Sequence, residues 1–138
     1  MLNLINNLER KDITKMLLGY KFALEEMNTK ISILFEEYRV VHEYNPIEHV
    51  STRIKSPKSI MRKIEHKGLS WSIHEIENNI RDIAGVRIVC SFEEDIYRVA
   101  KMLCNQNDIT VVEVKDYIKK PKENGYRSLH LIIKIPIF

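Results

Sequence analysis

From Thr14 to about Tyr44 apolar side chains recur in steps of three and four: Leu17, Tyr20, Leu24, Met27, Ile31, Leu34, Tyr38 and Val41. No proline and a single glycine interrupt the stretch, so the spacing predicts one long helix with an apolar seam. At about 1.5 Å per residue that helix reaches roughly 45 Å, more than a domain of this size needs to cover one face. The seam therefore serves either an oligomer contact or packing against the chain's own sheet. Asn45-Pro46 ends it.

A second helix is announced by Ser56-Pro57, a side-chain cap followed by proline at the first helical position, and runs to Lys67 with Gly68 as its C-terminal cap. Ile60 and Ile64 form its inward stripe. A short helical piece from Ser72 to Asn79 precedes "GVRIVCSF", where Val86, Ile88 and Cys90 alternate as the buried face of a strand and Arg87 takes the other face. Residues 93 to 105 are helical by pattern through Ile96, Val99, Ala100 and Leu103. "ITVVEVKDYI" and "SLHLIIKIPIF" read as two further strands joined by a long loop from Ile118 to Tyr126 around Asn124-Gly125. Helices and strands alternate, which predicts an α/β (α+β) fold with a mixed sheet flanked by helices.

The 138 residues suit one domain, or one domain with a helical arm, and 44% hydrophobic against 30% charged residues excludes a disordered or fibrous chain. The net charge of +3 comes from 22 basic and 19 acidic side chains, so local clusters matter more than the average. Cys90 and Cys104 lack metal or redox spacing, which makes a reduced, cytoplasmic protein the expectation. The opening "MLNLINNLERKD" lacks the layout of a secretion signal, and no stretch is apolar enough to span a membrane.

Two clusters carry chemistry. In "RIKSPKSIMRK", Lys58, Arg62 and Lys63 crowd the first turns of a helix, where the dipole already disfavours cations and an anion would reverse the sign. Ser59 and Lys63 share a face at i, i+4, and Arg53 and Lys55 lie just upstream. Asp82, an acid flanked by Arg81 and Arg87, is either a Mg²⁺ ligand completed by substrate phosphates or a turn aspartate paired with arginine. The other cluster is "KDYIKKPKENGYRSLH": Lys115, Lys119, Lys120, Lys122 and Arg127 supply charge, Asn124-Gly125 a turn and Tyr126 a flat ring. Phosphate-binding charge beside a ring fits a nucleotide, whereas a plain cross-strand tyrosine is the simpler alternative. His130 shares the strand face of Tyr126 and Ser128. No GxxxxGK[ST], GxGxxG or HExxH pattern is present.

Taken in order, RIKSPKSIMRKI, RDIAGVRIVCSF, YRVA and VKDYIKKPKENGYRSLH strongly resemble the synthetase domain of the RelA/SpoT alarmone enzymes, and "YKFALEEMNTKISILFEEYRVVHEYNPIEHV" is most similar to the small single-domain synthetases. The resemblance implies a nucleotidyltransferase-like synthetase fold, with residues 1–50 a helical region and 51–138 the synthetase core. It implies a GTP pyrophosphokinase of the stringent response, which moves the pyrophosphate of ATP to the 3′-hydroxyl of GTP or GDP to give pppGpp or ppGpp. Arg53, Lys55, Ser59, Lys63 and Arg87 match ATP-binding positions, and Asp82 matches the catalytic, Mg²⁺-binding acid, with Arg87 also catalytic. Lys115, Lys122, Asn124, Tyr126 and His130 match the GTP-binding positions, with Tyr126 stacking on guanine.

Two departures stand out. Glu65-His66-Lys67 replaces a stretch where relatives often carry an arginine. The sequence also stops before the strand carrying a Glu-x-Gln segment in relatives, so the core is expected to be incomplete at its C-terminal end and weaker in catalysis than in binding. A homo-oligomer is a further expectation. The rival readings are a non-catalytic nucleotide- or RNA-binding module, marked by steep salt dependence, and an oligomerisation fragment indifferent to charge reversal at Lys55 and Lys63.

Overall fold

The structure, a computed structural model, describes residues 10–137. The secretion-signal expectation for the first residues and the end of the last apolar run, Phe138, lie outside that range. The order of elements is α1 (Arg10–His42), β1 (His49–Ile54), α2 (Pro57–Lys67), α3 (Ile73–Asn79), β2 (Ala84–Val89), α4 (Glu93–Cys104), β3 (Thr110–Asp116) and β4 (Leu129–Lys134). The α/β class holds. The strands pair as β1 with β2 and β3 with β4. Both pairings are antiparallel: Glu48 N–H donates to Val89 O and Lys55 N–H to Ile83 O at opposite ends of the first, and Lys115 faces His130 in the second. No helix among the described residues is long and apolar enough to cross a membrane.

Two compact units divide the described residues, 10–25 with 52–86 and 26–51 with 87–137. The core of the first joins Met16 of α1 to Ile60 and Ile64 of α2, Ile76 of α3, Ile80 and Ile83, with Tyr20, Leu69 and Trp71 packed against it. Ile60 and Ile64 are one helical turn apart, so burying both fixes the rotation of α2 about its axis. Its ends are set locally. Ser56 Oγ accepts the Ser59 N–H at 3.2 Å, and Gly68, at φ 65°, takes the left-handed conformation that closes the last turn.

In the second unit the buried apolar side chains are Met27, Ile31 and Phe35 of α1, Val99 and Leu103 of α4, Ile109 and Ile118. The expected seam on α1 is therefore corrected at three positions. Met16 and Phe35 are buried, whereas Val41 is 69% exposed, because the helix stops at His42 and its final turn has nothing packed over that face. Termination comes from Glu43 at φ 52° and from Asn45, whose side chain accepts the Ile47 N–H ahead of β1. The strand β1 itself went unread in the sequence: only Val50 among its six residues is even partly buried, so no alternation marks it.

Among the described residues one acid is buried, Asp95 of α4, which receives hydrogen bonds from the Tyr44 hydroxyl and, at 2.9 Å, from Arg98. The bond to Asp95 is the main reason the Tyr44 phenol is pushed up to about 12, with burial and the carboxylate charge adding to it. A raised folded-state pKa means that the bond contributes fully below the ordinary tyrosine value and is lost as pH rises through the folded one. We expect wild type to be more stable than Tyr44→Phe by a constant margin up to about pH 10, and that margin to shrink as pH climbs to about 12. Urea denaturation across that range measures it, and a margin that falls below neutrality instead would contradict the assignment.

Candidate functional site

In the first unit the sequence-predicted residues Lys55, Lys63 and Asp82 come together. Asp82 sits between two buried anchors, Ile80 and Ile83, each 1% exposed. The Lys55 N–H donates to Ile83 O at 2.7 Å, which ties the end of β1 to the same spot. Asp82 Oδ2 then accepts from Lys63 Nζ at 2.8 Å and pairs with Lys55 Nζ at 3.2 Å. Its other oxygen, Oδ1, is buried and has no hydrogen-bond partner.

A buried, unengaged carboxylate oxygen is anomalous among protein acids. Burial pushes the Asp82 carboxyl up, but the hydrogen bonds and charges of Lys63 and Lys55 outweigh it and hold the group below its ordinary value. It is therefore ionised at neutral pH. An anionic oxygen with no partner fits one Mg²⁺ ligand position. No cluster of three acids, histidines or cysteines occurs among the described residues, so other donors would have to come from a bound substrate.

Ser59, on the first turn of α2, accepts through Oγ from the Ser56 hydroxyl at 3.0 Å. The first turn carries no acid, and Lys58, Arg62 and, upstream, Arg53 are exposed. These groups form a cationic surface around the first turn of α2, where Pro57 has no N–H and the Ser59 and Ile60 N–H groups are already taken by Ser56, so side-chain charge is what suits an anion there. Arg87 projects from β2, exposed, and belongs to the second unit.

In the second unit the hairpin β3–β4 gathers the other predicted set. Register places Lys115 opposite His130 and Asp116 opposite Leu129, and Tyr117 N–H donates to Ser128 O at 2.8 Å. Side chains alternate along each strand, so Lys115, Tyr117, Tyr126, Ser128 and His130 share one side of the hairpin. The connecting loop is a tight turn in which Gly125 N–H donates to Lys122 O at 2.8 Å with Gly125 at φ 84°, a conformation that suits glycine. Asn124 Oδ1 accepts the Tyr126 N–H at 3.0 Å and orients that residue from within the turn.

Tyr126 OH and His130 Nε2 share a hydrogen bond of 3.1 Å. Their rings meet edge to face with that of Tyr117, at centroid distances of 5.4 to 6.4 Å. Lys122 Nζ lies 4.8 Å from the Tyr117 ring centre and 5.5 Å from that of Tyr126. Lys115 Nζ pairs with Glu113 Oε1 at 3.4 Å. The second buried oxygen without a partner among the described residues, Ser128 Oγ, falls on this same hairpin side.

Tyr117 was missed in the sequence because nothing local marks it. Extending the strand register one step past Asp116 would have found it opposite Ser128. A groove of about 320 Å³ lined by Ile31, Phe35, Arg39, Asn45 and Ile47 includes none of the expected site residues.

Comparison with known proteins places these residues in context. A family described as the region found in RelA and SpoT proteins matches residues 52–137. The GTP pyrophosphokinase YwaC of Bacillus subtilis is 51% identical over 127 residues, covering 92% of this chain and 60% of its own length. The crystal structure of small alarmone synthetase 2 from Bacillus subtilis superposes with a TM-score of 0.79 at 50% identity, over 91% of this chain and 63% of that one. Small alarmone synthetase 1 from the same organism, solved bound to its product pppGpp, gives 0.79 at 40% identity, over 91% and 65%. The chain thus spans somewhat under two thirds of the length of these relatives.

The opposed causes acting on Asp82 make a test. Replacing Lys63 by methionine keeps the aliphatic stem and removes one of the two ammoniums that offset burial. The Asp82 carboxyl titration, followed by NMR, is expected to move upward in Lys63→Met. The stability that the ionised group contributes, present above the ordinary carboxylate pKa and lost as pH falls through the depressed one, should then fail at a higher pH. An unmoved titration would mean that the pair does not set the charge state.

Proposed function

The chain belongs to the RelA/SpoT family, and on that premise we propose that it carries the nucleotide-binding machinery of a GTP pyrophosphokinase. The reaction is transfer of the β,γ-pyrophosphate of ATP to the ribose 3′-hydroxyl of GTP or GDP, with AMP leaving and pppGpp or ppGpp formed. The observation that carries this reading is Asp82, an ionised carboxylate held between Lys55 and Lys63 with one oxygen unengaged.

Arg53, Lys55, Ser59 and Lys63 bind the ATP phosphates, and Arg87 adds charge on the donor side. Asp82 holds Mg²⁺, which when bound supplies charge neutralisation for the polyphosphate. Lys55 and Lys63 then trade their carboxylate partner for phosphate oxygens. Lys115 and Lys122 bind the acceptor phosphates, Asn124 and His130 add polar contacts, and Tyr126 stacks on the base. Pyrophosphoryl transfer asks little covalent help of a protein, so positioning and charge are most of the task. Self-association in the cytoplasm belongs to the same proposal, with exposed Ile33, Val40 and Val41 on α1 as the apolar contact.

Incubation with γ-labelled ATP, GTP and Mg²⁺ is expected to place label in pppGpp, and Asp82→Ala and Tyr126→Ala to lower the rate by roughly a hundredfold or more each. Product formation unaffected by both changes would overturn the site. A second, sharper outcome concerns binding. Asp82 competes with phosphates for its two lysines, so Asp82→Asn should tighten metal-free ATP severalfold while abolishing the gain that Mg²⁺ gives wild type. Calorimetry with and without Mg²⁺ reads both, and equal losses in the two conditions would contradict the exchange.

A further inference from the structure

The loop that carries Lys122, Asn124 and Tyr126 is tied at both stems to one face of α4. At the entry, the Asp116 carboxylate accepts three hydrogen bonds: from the Tyr97 hydroxyl at 2.8 Å, from Ile118 N–H at 2.9 Å and from Lys119 N–H at 3.0 Å. The ammonium of Lys119 also lies 5.9 Å from the centre of the Tyr97 ring. At the exit, Arg127 pairs with Glu93. Glu93 and Tyr97 are four residues apart on α4 and so lie on one helix face.

These ties differ in weight. Arg127 and Glu93 are 53% and 57% exposed, and an exposed ion pair contributes little. Asp116 is different, because its charge-assisted bonds to two successive N–H groups fix the backbone where the loop leaves β3, and Ile118 beside them is buried. Neighbouring groups respond as such an arrangement requires. The bond to Asp116 is the main cause raising the Tyr97 phenol, and the Lys119 N–H leads the groups that hold the Asp116 carboxyl low. The Tyr97 hydroxyl donates into the carboxylate from outside the hairpin, and so sets which way its oxygens face.

We infer that Tyr97, acting through Asp116, is a positioning residue for the acceptor side: it holds the 117–126 loop in the conformation that presents Lys122 and Tyr126 to a guanine nucleotide. The inference rests on the nucleotide reading above and names a residue outside the set that touches substrate. When the tie is cut, the loop samples other conformations, and apparent affinity falls by the fraction of time spent in the competent one.

The test compares wild type, Tyr97→Phe, Asp116→Asn and the double variant, in titrations with GDP and separately with ATP and Mg²⁺. Tyr97→Phe removes one oxygen and keeps the ring under Lys119. It is expected to raise the Kd for GDP roughly five- to tenfold, leaving the Kd for ATP and the Tm unchanged. The double variant should bind GDP no worse than Asp116→Asn alone, since Tyr97 acts through that carboxylate. Glu93→Gln should change GDP affinity less than about twofold.

Hydrogen exchange at the Ile118 and Lys119 amides, without nucleotide, should quicken in Tyr97→Phe. Unchanged GDP affinity and exchange in Tyr97→Phe would overturn the inference. A parallel loss of ATP and GDP binding with a lower Tm would also overturn it, by making Tyr97 a general support of the fold. Wild type binding neither nucleotide, with exchange still quickened in the variant, would sink the nucleotide reading and leave the tie itself standing.

Discussion

Two ammonium groups brought to one place repel one another, and a fold that holds Lys55 and Lys63 around one point must put a negative charge there. Asp82 is that charge. Everything nearby in the first unit can be traced to keeping it in place: Ile80 and Ile83 bury on either side of it, the Lys55 backbone bonds to Ile83, and Ile60 with Ile64 turns α2 so that Lys63 reaches the carboxylate. The arrangement remains unfinished in one respect, since Oδ1 is buried without a partner. An apolar replacement of the acid would leave the lysines without any reason to converge.

The second unit solves a related problem by other means. Among the described residues Lys122 forms no ion pair; its ammonium rests near the faces of Tyr117 and Tyr126 instead. An exposed contact of that kind is worth about 0.5–1 kcal/mol, less than a charge-assisted bond to a phosphate oxygen at about 1.5–3 kcal/mol. A lysine stored on a ring is thus easily released, whereas one stored on a carboxylate must be exchanged against a competing charge. The two clusters differ in this, and the proposed donor and acceptor roles differ with them: one binds a polyphosphate whose charge must be matched by metal, the other a nucleotide whose base takes the ring.

Much of this was legible in the sequence wherever the cause is local. Ser56-Pro57 and Gly68 bounded α2 to the residue, because a cap is a contact between neighbours in the chain. Asn124-Gly125 located the turn for the same reason, and the paired spacing of Ile60 and Ile64 gave the buried stripe. Asp82 stood out as an acid among bases, although the ion pair weighed against its metal role was with arginine and the partners are lysines. The failures share a different cause. β1 has no buried face to announce it, Val41 keeps the period of a helix whose last turn is uncovered, and Tyr97 and Tyr117, like the bond from Tyr44 to Asp95, matter through residues distant in sequence. Periodicity records what an element buries and is silent where side chains meet across the fold.

That distinction bears on how the family resemblance should be weighed. Motif positions such as Lys63, Asp82 and Tyr126 can be matched from one sequence to another by residue type and order alone. The residues that aim them are set by tertiary contacts, so different side chains can do the same work: a tyrosine on α4 reaching Asp116 is one way to order a loop, and an exposed pair such as Arg127 with Glu93 is a weaker one. A carboxylate that already accepts two backbone N–H groups has little freedom left, and a third donor decides which orientation persists. The spatial definition of the acceptor loop therefore resides in Asp116 and its donors, one residue away on either side from Lys115 and Tyr117, and only a structure could separate that supporting acid from the cation and the ring beside it.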